Sequence, residues 1–391
     1  MIDVGASGGR PAGALEPRPR VVVASDKWRG SFSSRSAGNA IATGLARALP
    51  GRAVEIVEVA DGGEGTVDAV LARAARGERR VARVAGPRRV SVDAAWASFD
   101  ERRALIESAA ACGHALLAPA ERDPLLTTTR GVGELARAAL DAGAAEIALA
   151  LGGSATVDGG AGMAQALGFR LVDRAGRDLA PGGGALVDLD RIETEGTDPR
   201  LRAAAFEAWC DVTNPLVGAR GAARVFGPQK GAGPEAVERL EAGLARLAEV
   251  VVRDLGVSIA TLPSAGAAGG LGGAAMAFLG ARLALGAERV LDAIGFDALL
   301  DDTDLVVTGE GRFDGLAMPG KLPLVVAARA ARRGIRTVLV CGEDVSGGAG
   351  VAGLAAIFSG RDLEREPDGE LTSADLAVLG ERVASFALGR G

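Results

Sequence analysis

The chain has 391 residues, 48% of them apolar, and a formal net charge of −6 at pH 7. That length accommodates two domains with full cores. The apolar share excludes a disordered chain, and the acidic balance argues against a general nucleic-acid surface. Cys112, Cys210 and Cys341 are widely spread and His114 is the one histidine, so neither a zinc centre nor a disulfide framework is expected. The thiols fit small buried residues in a reducing cytoplasm. No apolar run reaches membrane-spanning length, so no membrane partner is expected. Residues 1–20 lack the apolar core of a signal peptide and read as a disordered leader.

In chain order, Val21–Ala24 reads as a first strand. It leads through Ser25-Asp26-Lys27-Trp28-Arg29-Gly30-Ser31 into a helix over 34–48, capped by Ser33 or Ser34. A strand over 54–59 ends at Ala60-Asp61-Gly62-Gly63-Glu64-Gly65-Thr66, and helical spacing follows over 65–75. Residues 80–107 hold short alternating runs, such as Val90, Val92 and Ala94, that look antiparallel. A helix over 132–142 precedes a strand over 146–151. The stretch 174–200 is loop-rich. In 234–252, Val237, Leu240, Leu244, Leu247 and Val251 step by three and four and form one buried stripe behind Pro234. A strand over 305–308, a helix over 322–333, a strand over 336–341 and a helix over 373–388 complete the chain. The alternation predicts parallel sheets with crossover helices. The irregular middle suggests a second domain inserted into the first: 21–85 with 286–391, interrupted by 86–285.

Four Gly-rich loops flank these elements: 60–66, 151–162, 264–273 and 308–315. Small residues between a strand and a helix let backbone N–H groups approach an anion, and ligands of open α/β sheets bind beyond the carboxyl ends of the strands. In 151–162, Gly152, Gly153, Ser154, Thr156 and Asp158 suit a phosphate and its metal ion; a tight turn without a ligand is the alternative. Gly315 to Lys321 has P-loop spacing, but Leu322 stands where a Mg²⁺-holding Ser or Thr belongs. Lys321 is thus either a phosphate-contacting lysine of another geometry or a solvated one. Lys230 sits in a tight loop, as a phosphate ligand or as a cap or surface pair. Asp211 ends the run Ala208-Trp209-Cys210, as a base, a metal ligand or a turn cap. Arg29 suits bidentate capture of a carboxylate. His114 reads as a buried or edge residue, and Trp28, Trp96 and Trp209 as packing residues, with Trp28 the one placed to touch a ligand.

The segments 60–66, Asp-Pro-Leu-Leu-Thr-Thr-Thr (123–129), Leu-Gly-Gly-Ser-Ala-Thr (151–156), Asp-Val-Thr-Asn-Pro-Leu (211–216), Phe-Gly-Pro-Gln-Lys-Gly-Ala (226–232) and Thr-Gly-Glu-Gly-Arg (308–312), in this order, closely resemble the bacterial glycerate kinase family that phosphorylates D-glycerate with ATP. The resemblance runs from about 21 to 330. It implies a two-domain α/β fold, a Rossmann- or flavodoxin-like parallel-sheet domain interrupted by a second α/β domain, with the active site in the cleft. It also implies Mg²⁺ and ATP, and 2-phosphoglycerate as product. Phosphoryl transfer needs positioning and charge neutralisation. The expected catalytic residues are Asp211, Asp158, Asp314 and Lys321. Asp26, Arg29, Asp61, Glu64, Gly152, Gly153, Ser154, Lys230, Glu310 and Arg312 are expected to bind substrate and phosphate. Magnesium prefers one or two carboxylates plus phosphate oxygens, and Asp158, Asp211 and Asp314 are its candidates.

The sequence departs from the family pattern at Lys27-Trp28-Arg29, at Val157, which replaces an Asn, and at Leu316-Ala317. All three departures fall in expected site loops. They leave open a divergent member acting on another small hydroxy acid, or a weakly catalytic nucleotide- or hydroxy-acid-binding sensor. A dinucleotide-dependent reductase lacks support, because no Gly-x-Gly-x-x-Gly follows the first strand.

Overall fold

The computed structural model describes residues 20–28, 30–314, 320–346, 351, 353–363 and 370–389. The chain divides into two compact units. The first is Met1–Asp61, Asp68–Ala75 and Ala287–Gly391; the second is Gly62–Val67 and Arg76–Gly286.

The first unit is built on the strand Arg20–Ser25, where Val21, Val22 and Val23 are wholly buried. A strand covered on both faces reads as a continuous apolar run. Ala53–Ile56 lies on one side of it. Thr303–Phe313, Arg336–Asp344 and Ala356–Ser359 follow on the other, and every pair is parallel. Counted in chain order within the unit, the strands run 2-1-3-4-5, which is the flavodoxin-like order with its winding reversed between the first and third strands. Ser25 pairs in register with Gly309 there. The helix Ser34–Ala48 starts at Ser33, whose hydroxyl accepts the Ser36 N–H. It packs against Ser373–Ala387 so closely that a Cβ on Gly44 would lie 1.8 Å from the Ala377 carbonyl oxygen.

The second unit holds a six-stranded sheet in the order Arg282–Ala284, Ala205–Trp209, Glu146–Ala150, Arg103–Glu107, Ser91–Phe99, Gly77–Ala85. The first three pairings are parallel and the last two antiparallel. Gly77–Ala85 pairs along its length with Ser91–Phe99, so the chain has entered this unit by Arg76 and not near residue 85. Alternation reveals a strand but not its partner, and the partner decides the unit. The helix Pro234–Leu255 buries Leu240, Leu244, Leu247 and Val251 and stops at Gly256 in the left-handed region, φ 73°. The loop-rich stretch holds a short ribbon, Arg170–Val172 with Arg191–Glu193. No helix among the described residues is long and apolar enough to cross a membrane.

Candidate active site

In the first unit the expected residues gather at the switch point. The Asp26 N–H donates to the Gly309 carbonyl at 2.8 Å, which sets Asp26, just past the first strand, beside Glu310 within the neighbouring strand. Asp26 is partly exposed and its Oδ1 accepts the Lys27 N–H at 2.7 Å. Burial, and then the nearby Asp61, push its carboxyl up to about 8. Burial likewise raises Glu310 to about 7; Lys321 opposes this, and Asp314 and Asp61 add to it. Glu310 Oε1 is buried and has no hydrogen-bond partner among the described residues. Lys321 precedes the helix Leu322–Ala331, and its Nζ lies 2.6 Å from Asp314 Oδ1. Arg312 points into solvent and pairs with Glu343 at 3.6 Å. Arg29, Leu316 and Ala317 lie outside the described residues. Trp28 is 2% exposed, with its indole N–H on Ser25 Oγ at 3.1 Å. It packs in the core, so the ligand contact expected of it is not supported.

In the second unit three segments converge at the carboxyl ends of the parallel strands. The Leu151 N–H donates to the Trp209 carbonyl at 2.8 Å, and Gly286 donates to Cys210 at 3.3 Å. A Cβ on Gly62 would lie 2.7 Å from Gly286 Cα, and one on Gly152 2.5 Å from Gly63 Cα. The glycines here let backbone lie on backbone. In the same way Gly269, at φ +72°, would set a Cβ 1.9 Å from the Thr156 oxygen. The exposed parts of this convergence are Glu64 and Gly153, with Gly152 and Asp211 partly exposed.

The rest of the loop 151–162 faces inward. Asp158 is 0% exposed. Its carboxylate accepts the Thr129 N–H at 2.8 Å, the Thr129 hydroxyl at 2.9 Å, and the Gly160 and Gly162 N–H groups at 3.1 and 3.2 Å. Burial pushes this carboxyl up against those hydrogen bonds, which favour its ionised form. The geometry makes Asp158 an internal tie of the loop, a correction to its expected catalytic and metal-binding role. Ser154 and Lys230 are each 3% exposed, and the Lys230 ammonium donates to Ser154 Oγ at 2.9 Å and to the Thr156 carbonyl at 2.8 Å. Burial lowers this lysine to about 8, against the raising influence of Cys112 and Asp158. Val157 is 0% exposed within the core, so its replacement of the family's Asn does not line an acceptor pocket. His114 is partly exposed and its N–H donates to the Gly153 carbonyl at 3.0 Å.

Sequence reasoning missed the role of 127–129. Thr127, Thr128 and Thr129 are wholly buried, and the Thr127 hydroxyl donates to the Ala155 carbonyl at 2.9 Å. The signal was three consecutive hydroxyls in a segment otherwise noted for resemblance alone. Lys27, whose charge lowers Asp26, stands out in the sequence only as a departure from the family pattern. Among the described residues no group of three or more His, Cys, Asp or Glu side chains is placed to hold a metal ion.

The profile of the glycerate kinase family matches residues 21–385. The glycerate 2-kinase of Escherichia coli K12 is 45% identical over 344 residues, 87% of this chain and 90% of that protein. The glycerate kinase of Halalkalibacterium halodurans is 43% identical over 342 residues, 87% and 90% of the two chains. A crystal structure of a proposed glycerate kinase 2 from Salmonella typhimurium LT2 superposes with a TM-score of 0.79 at 43% identity, over 95% of this chain and 99% of that one. With a profile spanning nearly its whole length and relatives this similar across both units, the chain belongs to the glycerate kinase family.

Proposed function

We propose that this enzyme transfers the terminal phosphoryl group of ATP to D-glycerate and forms 2-phosphoglycerate. The observation that carries the reading is the cluster of Asp26, Asp61, Glu310, Asp314 and Lys321 at the switch point of the first unit, where Asp26 follows the first strand on the Gly309 carbonyl and Lys321 pairs with Asp314, with Asp26 pushed up to about 8 and Glu310 to about 7. A general base works best with a pKa near the working pH. Glu310, with its unpartnered buried oxygen, takes the proton from the acceptor hydroxyl, and Asp26 and Asp61 orient the acid. Lys321 supplies positive charge to the transferring phosphoryl group. Within the second unit, Asp211 and the exposed Gly152–Gly153 tip are the groups assigned to substrate binding.

Magnesium fits this donor set, because such an ion binds mainly through substrate phosphates and needs few carboxylates. Asp314, beside Lys321 and partly exposed, would hold it, and when bound it would neutralise charge on the phosphate oxygens. The three buried thiols support a cytoplasmic setting.

The test is ADP release over a panel of hydroxy acids with Mg-ATP, with the product assigned by phosphorus NMR. Stoichiometric release with D-glycerate and a 2-phosphoglycerate signal is the expected result. Release with a different acid alone, or nucleotide binding without release, refutes the reading. A 3-phosphoglycerate signal refutes the assigned product.

A further inference from the structure

The loop 151–158 carries unspent hydrogen-bonding capacity of one kind. The Lys230 ammonium has three protons and no acceptor. Two are used, on Ser154 Oγ and on the Thr156 carbonyl. Because the ammonium can only donate, Ser154 Oγ is the acceptor and the hydroxyl proton must point elsewhere. Among the described residues neither Ser154 Oγ nor Lys230 Nζ makes a further hydrogen bond, and the Cys112 sulfur close to Lys230 is only a weak acceptor. The acceptors nearby are taken: Asp158 receives four donors, and the Ala155 carbonyl receives Thr127. The Thr156 hydroxyl lies beside the Cys112 thiol and its Oγ1 has no hydrogen-bond partner among the described residues. What remains on Ser154 and Lys230 is donor-only and carries one positive charge. Both side chains are 3% exposed, and a buried donor left unpaired is destabilising. Ser154 directly follows Gly153, the exposed tip of the loop.

We propose that Lys230 is a positioning residue that fixes the Ser154 hydroxyl as a donor to an anionic oxygen of a substrate at the Gly152–Gly153 tip. Lys230 acts through Ser154 and does not touch the phosphate. The inference rests on the phosphoryl-transfer reading, whose substrates offer two such oxygens: phosphate on the nucleotide and carboxylate on the hydroxy acid.

Isothermal titration of the full chain with ADP, inorganic phosphate and D-glycerate separately tests it. Ser154→Ala is expected to weaken one chemistry by about tenfold to a hundredfold, the range of a hydrogen bond to a charged group, and to leave the other unchanged. Loss on ADP and phosphate assigns the phosphoryl oxygen; loss on D-glycerate alone assigns the carboxylate. Lys230→Met should show the same selectivity, and the double variant should lose no more than the larger single loss. If Lys230→Met does not fold, Ser154→Ala decides alone. Equal weakening of all three probes, no weakening, or no binding by the wild type overturns the proposal. Wild-type turnover of glycerate is read independently. Selective anion binding without it keeps this inference and removes the glycerate reading.

Discussion

Asp26→Asn is expected to stabilise the protein at alkaline pH while impairing turnover. The carboxyl rises from 3.8 to about 8 on folding, first through burial and then through Asp61. Between those two values the unfolded chain has released a proton that the folded chain retains. Stability therefore falls as pH climbs through this window and levels off above about 8. At about 1.4 kcal/mol per pH unit the ceiling is ~6 kcal/mol. Asp26 is partly exposed and its surroundings relax, so about 2 kcal/mol is the working figure. Asparagine keeps the shape and the oxygen that accepts the Lys27 N–H but cannot ionise. Thermal melts at pH 4 and pH 8.5 are the assay. The variant should match the wild type at pH 4 and exceed it by about 4–8 °C at pH 8.5. Turnover should drop at least about tenfold, the compromise expected where a site stores unfavourable charge. Equal destabilisation at both pH values would refute the reasoning.

Asp211→Asn should lower kcat by about a hundredfold or more with the melting temperature nearly unchanged; near-normal turnover removes Asp211 from the chemistry. Lys321→Met should lower kcat by about tenfold to a thousandfold. It should also raise the apparent acid-limb pKa of the rate profile, because Lys321 is the charge that holds Glu310 down, and an unmoved profile would disprove that coupling. Val157→Asn, which restores the family residue at a wholly buried position, should cost about 1–3 kcal/mol in urea unfolding. It should leave the preference between glycerate and other 2-hydroxy acids as it was, and a shift toward glycerate would return Val157 to the acceptor site.

The sequence alone determined the longer strands and helices and the residue types of the loops. Val21–Ala24 is apolar throughout because a parallel strand is covered on both faces, and the stripe Leu240, Leu244, Leu247 and Val251 follows from helical geometry. These are local properties, fixed by the spacing of residues along the chain. The motifs that carry the family resemblance also lie within single segments. What they could not show is which way a loop side chain faces. Asp158, Ser154, Thr156 and Lys230 look like a phosphate cradle in one dimension, yet Asp158 is consumed by Thr129, Gly160 and Gly162. Thr129 precedes it by 29 positions. Lys230 reaches Ser154 from 76 positions away. The strand Gly77–Ala85 could be read as a strand, but its sheet is chosen by Ser91–Phe99. The near-neutral acids Asp26 and Glu310 exist because two strands 284 positions apart in sequence lie side by side. Burial and the field of neighbouring charges are properties of packed surroundings, so only the tertiary structure could assign them.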